Sequence, residues 1–127
     1  MSRTLTAILA LSVVAAACTS VPNNDSSDPF AAAATGLCDT VDAAGQPDQA
    51  RQLFFDTVHQ PLHQLADETA TADRSIAAQL LEAKQAVEAA LDANTSSLGA
   101  DLDRLADRTH TALITLDRPG IPCRSTP

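Results

Sequence analysis

The chain has 127 residues, of which 45% are hydrophobic and only 2% aromatic, so it can build one small domain but not two independent cores. Alanine and leucine supply most of the hydrophobic residues, which favours helices over sheets, because sheets need β-branched and aromatic side chains. Its 16 Asp and Glu against 8 Lys and Arg give a net charge of −8, which argues against nucleic acid as a partner because phosphate backbones would be repelled.

Residues 1–17 have the layout of an export signal. Arg3 supplies a positive charge near the start, and an apolar run over residues 5–17 follows. The run has the length of a secretory signal core and is too short to span a bilayer as a mature helix. We therefore expect residues 1–17 to be a targeting signal that is removed from the mature protein.

The end of this signal resembles the lipobox of bacterial lipoproteins. The small residues Ala15, Ala16 and Ala17 stand directly before Cys18. In that family the cysteine is diacylated and the chain is cut just before it. The resemblance therefore implies a lipid anchor on Cys18 and a position on the extracytoplasmic face of the cell membrane. An ordinary signal-peptidase site, with Ala15 and Ala17 as its small residues, is the alternative.

The cysteine count supports the lipid anchor. The chain has three cysteines, Cys18, Cys38 and Cys123, and an exported protein with an odd number must leave one of them out of its disulfides. Acylation of Cys18 leaves a pair, and in an oxidising compartment we expect Cys38 and Cys123 to form a disulfide. Zinc binding is the competing use of cysteine, but the sequence contains no C-x-x-C pair.

The stretch after Cys18 differs in composition from the rest of the chain. Residues 18–29 are rich in Ser, Asn, Asp and Pro and offer little apolar surface around which to fold. We expect them to form a flexible tether between the lipid and a helical domain that covers residues 30–127.

Apolar residues with helical spacing predict four helices, over residues 30–44, 47–68, 76–94 and 98–116. The second carries Phe54 and Phe55 on its apolar side, and Lys84 lies off the apolar stripe of the third. Residues 69–73 contain no Gly or Pro, so one continuous helix is an alternative there. Their hydroxyls and carboxylates are good helix caps, however, and favour a break.

These elements predict an all-α fold, a small up-and-down four-helix bundle with one disulfide. In such a bundle the start of the first helix and the end of the last lie at the same end. That arrangement allows Cys38 and Cys123 to meet.

The second helix carries one group of residues with the chemistry of a metal site. Asp56, His59, His63 and Asp67 are spaced so that, in a regular α-helix, all four fall within an arc of about 80°. Two imidazoles one turn apart can chelate a divalent ion, and the flanking carboxylates could ligate it or orient the rings. A solvated polar face is the competing interpretation. Pro61 predicts either a kink between the histidines or a new helix start, which would separate Asp56 and His59 from His63.

A smaller polar group on the last helix, formed by Asp103, Asp107 and His110, is interpreted as a solvated face that also carries Ile114. Signature motifs of hydrolases, metalloproteases, covalent haem attachment, P-loops and dinucleotide binding are absent from the sequence. The four glycines are scattered and build no phosphate-binding loop. We therefore expect a protein that is not an enzyme.

Together these features predict a membrane-anchored extracytoplasmic lipoprotein whose helical domain is a non-enzymatic binding or structural module. Its expected partner is the membrane, through the lipid anchor, and the sequence identifies no protein partner. The alternative is a metal-binding accessory lipoprotein that handles zinc, copper or iron through His59 and His63. No cofactor is expected other than that divalent metal ion.

Overall fold

The computed structural model describes residues 28–124, and this part of the chain is all helical, as predicted, with no strand. Its elements in chain order are α1 (Pro29–Asp42), α2 (Pro47–Leu53), a π-helical turn (Phe54–Val58), α3 (His59–Ala72), α4 (Arg74–Ala93), α5 (Leu98–Thr115) and a short 3-10 turn (Pro122–Arg124). The predicted export signal at residues 1–17 and most of the predicted tether, including Cys18, lie outside the described residues.

The helix from residue 47 to residue 72 is continuous, because α2, the π-helical turn and α3 follow one another without a break. It corresponds to the predicted second helix, but its irregularity lies before the two histidines rather than between them. Pro61 is the third residue of α3. Pro61 lacks the backbone N–H that would bond to the carbonyl of Thr57 one turn earlier, so the irregular hydrogen bonding falls in the turn before the proline. His59 and His63 therefore share α3, and no new helix starts between them.

The ends of the helices coincide with capping residues in the sequence. Asp73 has an extended backbone, with φ −150° and ψ 106°, and separates α3 from α4. Its carboxylate accepts hydrogen bonds from the backbone N–H groups of Ser75 and Ile76, at 2.8 and 3.0 Å. Asn94 ends α4 in the left-handed conformation, with φ 48°. The break predicted within residues 69–73 is confirmed, and one long helix over residues 47–94 is not formed.

One hydrophobic core joins the helices. Helix α4 packs against both α3 and α5, and α1 packs against the π-helical turn and α5.

Two positions differ from the sequence prediction: Phe55 is 40% exposed, whereas Lys84 is only 2% exposed. Phe55 faces outward because its neighbour Phe54 fills the core, and consecutive helical residues point in different directions. The largest fully buried apolar side chains are Phe54, Leu37, Leu62, Leu65, Leu80, Leu102, Leu105 and Ile121.

The segment after α5 folds back against the domain. The sulfurs of Cys38, on α1, and Cys123, in the 3-10 turn, lie at disulfide-bonding distance with a Cα–Cα separation of 5.7 Å, which agrees with the predicted pairing. The backbone N–H of buried Ile121 donates to His110 Nδ1 at 3.1 Å. His110 is therefore half-buried, and the prediction that it belongs to a solvated face is wrong, because the returning segment covers it. Ile114 is 52% exposed, as predicted.

Close packing of α1 against the π-helical turn gives a first testable expectation. A Cβ added at Gly36 would overlap the hydroxyl of Thr57, which is itself bonded to the backbone carbonyl of Leu53 at 2.7 Å. We expect Gly36→Ala to lower the free energy of unfolding by about 1 to 3 kcal/mol. That loss should outweigh the gain of about 1 kcal/mol that alanine brings to a helix interior.

The matched control for this substitution is Gly99→Ala in α5. A Cβ at Gly99 meets no atom within 4 Å, so this variant should be as stable as the parent or more stable. Denaturant unfolding of both variants, followed by circular dichroism, measures the difference. Equal stability of the two variants would contradict the close approach of α1 to the π-helical turn.

Candidate functional site

The structure brings the two predicted histidines together but does not join the predicted carboxylates to them. The rings of His59 and His63 meet edge to face, with their centroids 5.0 Å apart. Asp67 is exposed on α3, and Asp56 is exposed in the π-helical turn. Within residues 28–124, neither carboxylate forms a hydrogen bond or ion pair with either imidazole. The predicted arc of about 80° assumed a regular α-helix, and the wider π turn changes the direction in which Asp56 points.

His59 instead faces α4, where it meets two residues that the sequence reasoning missed. Its Nε2 lies 2.9 Å from Glu88 Oε1, and Lys84 Nζ contacts the same oxygen. The side chain of Lys84 is only 2% exposed and that of Glu88 is 26% exposed. In its neutral form His59 donates the Nε2–H to Glu88. These three side chains form the α3–α4 polar cluster, and they link the two helices through one carboxylate.

Burial, reinforced by the nearby Lys84 ammonium, lowers the pKa of His59 below the ordinary value of 6.5. The Glu88 carboxylate acts in the opposite direction, and the neighbouring His63 adds to the lowering. The neutral imidazole is therefore favoured in the folded protein, and the acceptor Glu88 requires that the His59 Nε2 carries the proton.

The lowered pKa of His59 makes stability depend on pH. In the unfolded chain a histidine takes up its proton near pH 6.5, before His59 does so in the folded protein. The stabilising contribution is therefore complete above about pH 6.5 and is lost as the pH falls from there toward the folded pKa. We expect the free energy of unfolding to fall more between pH 7.5 and pH 5 in the parent than in His59→Gln, which keeps a donor toward Glu88.

Denaturant unfolding of both proteins across this pH range measures the difference. Titratable groups that do not contact residue 59 are the same in both proteins, so the difference isolates His59 and its contact with Glu88. A variant with the same pH dependence as the parent would contradict the assignment.

A row of four planar side chains runs along the helix over residues 47–72, and its third member is the half-buried His59. The guanidinium carbon of Arg51 lies 5.1 Å from the centre of the Phe55 ring, and the Phe55 and His59 centroids are 5.3 Å apart. The contact between His59 and His63 completes this planar row. Its members are spaced by four residues, and Arg51 and Phe55 are exposed to solvent. Cation–π and ring contacts of this kind hold planar groups in place on a surface.

The π-helical turn helps to keep the planar row straight. In a regular α-helix, side chains four residues apart are rotated by about 40° relative to each other, so such a row winds around the helix. A π turn contains more residues per turn, and each residue therefore rotates less. Because the turn at Phe54–Val58 lies between Arg51 and His59, it counteracts the winding where Phe55 joins the two.

Outside the α3–α4 cluster, the planar row has one further support. Arg51 Nη1 donates to Asp92 Oδ1 at 2.8 Å, which connects the start of the row to the end of α4. Both residues of this pair are about half exposed or more.

No group of three or more His, Cys, Asp or Glu side chains within residues 28–124 is arranged to hold a metal ion.

Comparison of the chain with protein-family models, curated proteins and solved structures finds no match. Among the helices of residues 28–124, none combines the length and apolar character needed to cross a membrane.

Proposed function

We propose that the protein is a membrane-anchored extracytoplasmic lipoprotein whose helical domain is a non-enzymatic binding or structural module. The observation that carries the proposal is the cysteine arrangement. Cys38 and Cys123 lie at disulfide-bonding distance, which leaves Cys18 as the cysteine without a disulfide partner, directly after the lipobox-like alanines. A disulfide of this kind is typical of exported proteins, and an exported chain needs another use for its third cysteine.

The proposed domain architecture is an up-and-down four-helix bundle anchored through the start of α1. Arg118, just after α5, contacts Asp28 before α1 at 3.4 Å and Glu68 near the end of α3 at 3.4 Å. Its guanidinium also lies over the Phe30 ring, 4.6 Å from the centroid. These contacts between the start of the first helix and the ends of the second and last helices support the proposed up-and-down order. Asp28, the first described residue, lies at this end of the domain.

The planar row is the surface that best suits a binding module. It lies on a helix that packs against α4 and α1, so its side chains sit on a rigid support. Aromatic residues and arginine are enriched at the centres of protein interfaces, and Arg51 and Phe55 supply both in solvent-exposed positions.

Mass spectrometry of the membrane fraction tests the proposal. We expect the mature chain to begin at Cys18 and to carry diacylglyceryl on its sulfur, since two acyl chains are enough for stable anchoring. Cys18→Ala should abolish the modification and the membrane association. An unmodified Cys18, or a parent protein that is found in the medium, would contradict the proposal.

A second candidate function is metal binding through His59 and His63. It is favoured by the adjacent imidazoles, with centroids 5.0 Å apart, and by the Glu88 carboxylate at His59. Imidazole nitrogens with carboxylate oxygens suit zinc or cupric ion better than calcium. The Lys84 ammonium opposes it, because it already occupies the oxygen that a metal would need.

Calorimetric titration of zinc and copper distinguishes metal binding from a solvated helix face. If a metal binds, His63→Ala should remove the binding, and lowering the pH should weaken it because ligand imidazoles must be neutral. Binding that is unchanged in His63→Ala, or absent in the parent at micromolar metal, would contradict the metal hypothesis.

A further inference from the structure

We infer that the planar row, extended by Asp67, binds a second copy of the same chain in an antiparallel arrangement with its two-fold axis at His59. This inference names the partner of the binding module proposed above and rests on that module. Its basis is the order of the exposed residues along the helix over residues 47–72.

Four exposed positions of this helix are self-complementary about His59, whose own side chain is 31% exposed. At intervals of four residues the helix presents Arg51, Phe55, His59, His63 and Asp67. In an antiparallel pair centred on His59, Arg51 of one copy meets Asp67 of the other, and Phe55 meets His63. The two His59 rings meet at the axis. A two-fold interface must use the same patch on both subunits, and this patch carries opposite charges at equal distances from its centre.

The spacing of the row matches the commonest way in which two helices pack. Residues four apart form the ridges that interdigitate in this packing, with the helices crossing at about −50°. Because the ridges of both helices run parallel at that angle, the row of one copy can lie in the groove beside its counterpart along its whole length. A spacing of four residues is therefore the one that brings Arg51 and Asp67 within reach across the interface.

Both ends of the patch have bonding capacity left for a partner. Asp67 is exposed, and among the described residues it forms no ion pair. Arg51 uses one N–H of its guanidinium on Asp92, and an arginine has five N–H donors. A carboxylate from a second copy can therefore bind Arg51 without displacing Asp92.

The centre of the patch supplies the apolar contact. Phe55 is 40% exposed and is one of two large hydrophobic side chains that are exposed within residues 28–124, the other being Ile114. Stacking Phe55 on His63 of the second copy removes its ring from water and adds a second aromatic contact. Contacts with Arg51 and His59 already hold Phe55 in place, so little side-chain freedom remains to be lost on association.

The expected association is weak in solution. One helix face is smaller than the surface of about 800 Å² per partner that stable complexes bury. Lipid anchoring would place the copies on one membrane surface, where the effective concentration is higher and a weak contact is sufficient. Self-association is therefore a property to measure at high protein concentration.

The test uses sedimentation equilibrium of the chain from residue 18 onward with Cys18→Ser, so that no lipid drives association. We expect a reversible dimer as the concentration rises toward about 1 mM. Arg51→Asp and Asp67→Arg should each lower the association constant by about tenfold or more, because each turns two attractive pairs into repulsive ones. The double variant Arg51→Asp with Asp67→Arg should restore association.

Ile114→Ser is the matched control, because it removes the other large exposed hydrophobic side chain and should leave association unchanged. Circular dichroism checks that each variant is folded. A parent that stays monomeric at about 1 mM, or a double variant that fails to regain association, would overturn the inference. Neither result depends on lipidation, so failure here and an unmodified Cys18 are separate outcomes.

Discussion

Replacing Cys123 with serine is expected to lower the free energy of unfolding by about 4 to 5 kcal/mol, the largest change that a single substitution outside the core should produce. The disulfide pairs cysteines 85 residues apart, and closing a loop of that length removes much of the entropy of the unfolded chain. A domain of this size has a total stability of only about 5 to 15 kcal/mol. The variant should therefore melt at a markedly lower temperature.

Cys18→Ser provides the control, because Cys18 takes no part in this pairing and the variant should unfold like the parent. Denaturant unfolding of all three proteins, with and without a reducing agent, gives the comparison. Reduction should destabilise the parent and leave Cys123→Ser unchanged. Two freely alkylated thiols at Cys38 and Cys123 in the native exported protein would contradict the disulfide.

The second large effect is expected at the α3–α4 polar cluster. Glu88→Gln removes the carboxylate that faces both Lys84, which is 2% exposed, and His59. A buried ammonium without its counter-ion is costly, so we expect the free energy of unfolding to fall by about 2 to 4 kcal/mol. Lys84→Met should cost less, because its side chain has a similar shape and leaves no buried charge. Combining it with Glu88→Gln should recover part of the loss.

An exposed ion pair serves as the comparison. Asp92→Asn breaks the ion pair with Arg51. The Arg51 side chain is 49% exposed and that of Asp92 is 67% exposed, so the substitution should change the free energy of unfolding by less than about 1 kcal/mol. Thermal and denaturant unfolding of these variants measures both effects. Equal losses from Glu88→Gln and Asp92→Asn would show that Lys84 reaches water and that the cluster is not buried.

Much of the fold could be predicted because its determinants are local. Asp73 and Asn94 are residues that cap helices, and they stand where apolar spacing changes register, so the boundaries of α4 follow from the sequence. The pairing of Cys38 with Cys123 followed from the cysteine count and the expected acylation of Cys18. These signals need no knowledge of the packing between helices.

The π-helical turn and the contacts of the polar cluster depend on that packing and could not be predicted. Nothing in the spacing of residues 54–58 indicates a wider turn. The contact of His59 with Glu88 requires the register between α3 and α4. Likewise, His110 is covered by the segment around Ile121, and the periodicity of α5 does not predict that this segment folds back.

The burial of Lys84 has a further consequence, because it is the sole lysine in the chain. A protease that cuts after lysine has one cleavage site, and that site is closed while α4 is packed in the domain. The rate of cutting therefore reports how often this helix opens, at a single known position. The two fragments would remain joined through Cys38 and Cys123 until they are reduced, so gels with and without reductant would show opening and disulfide formation in one digestion.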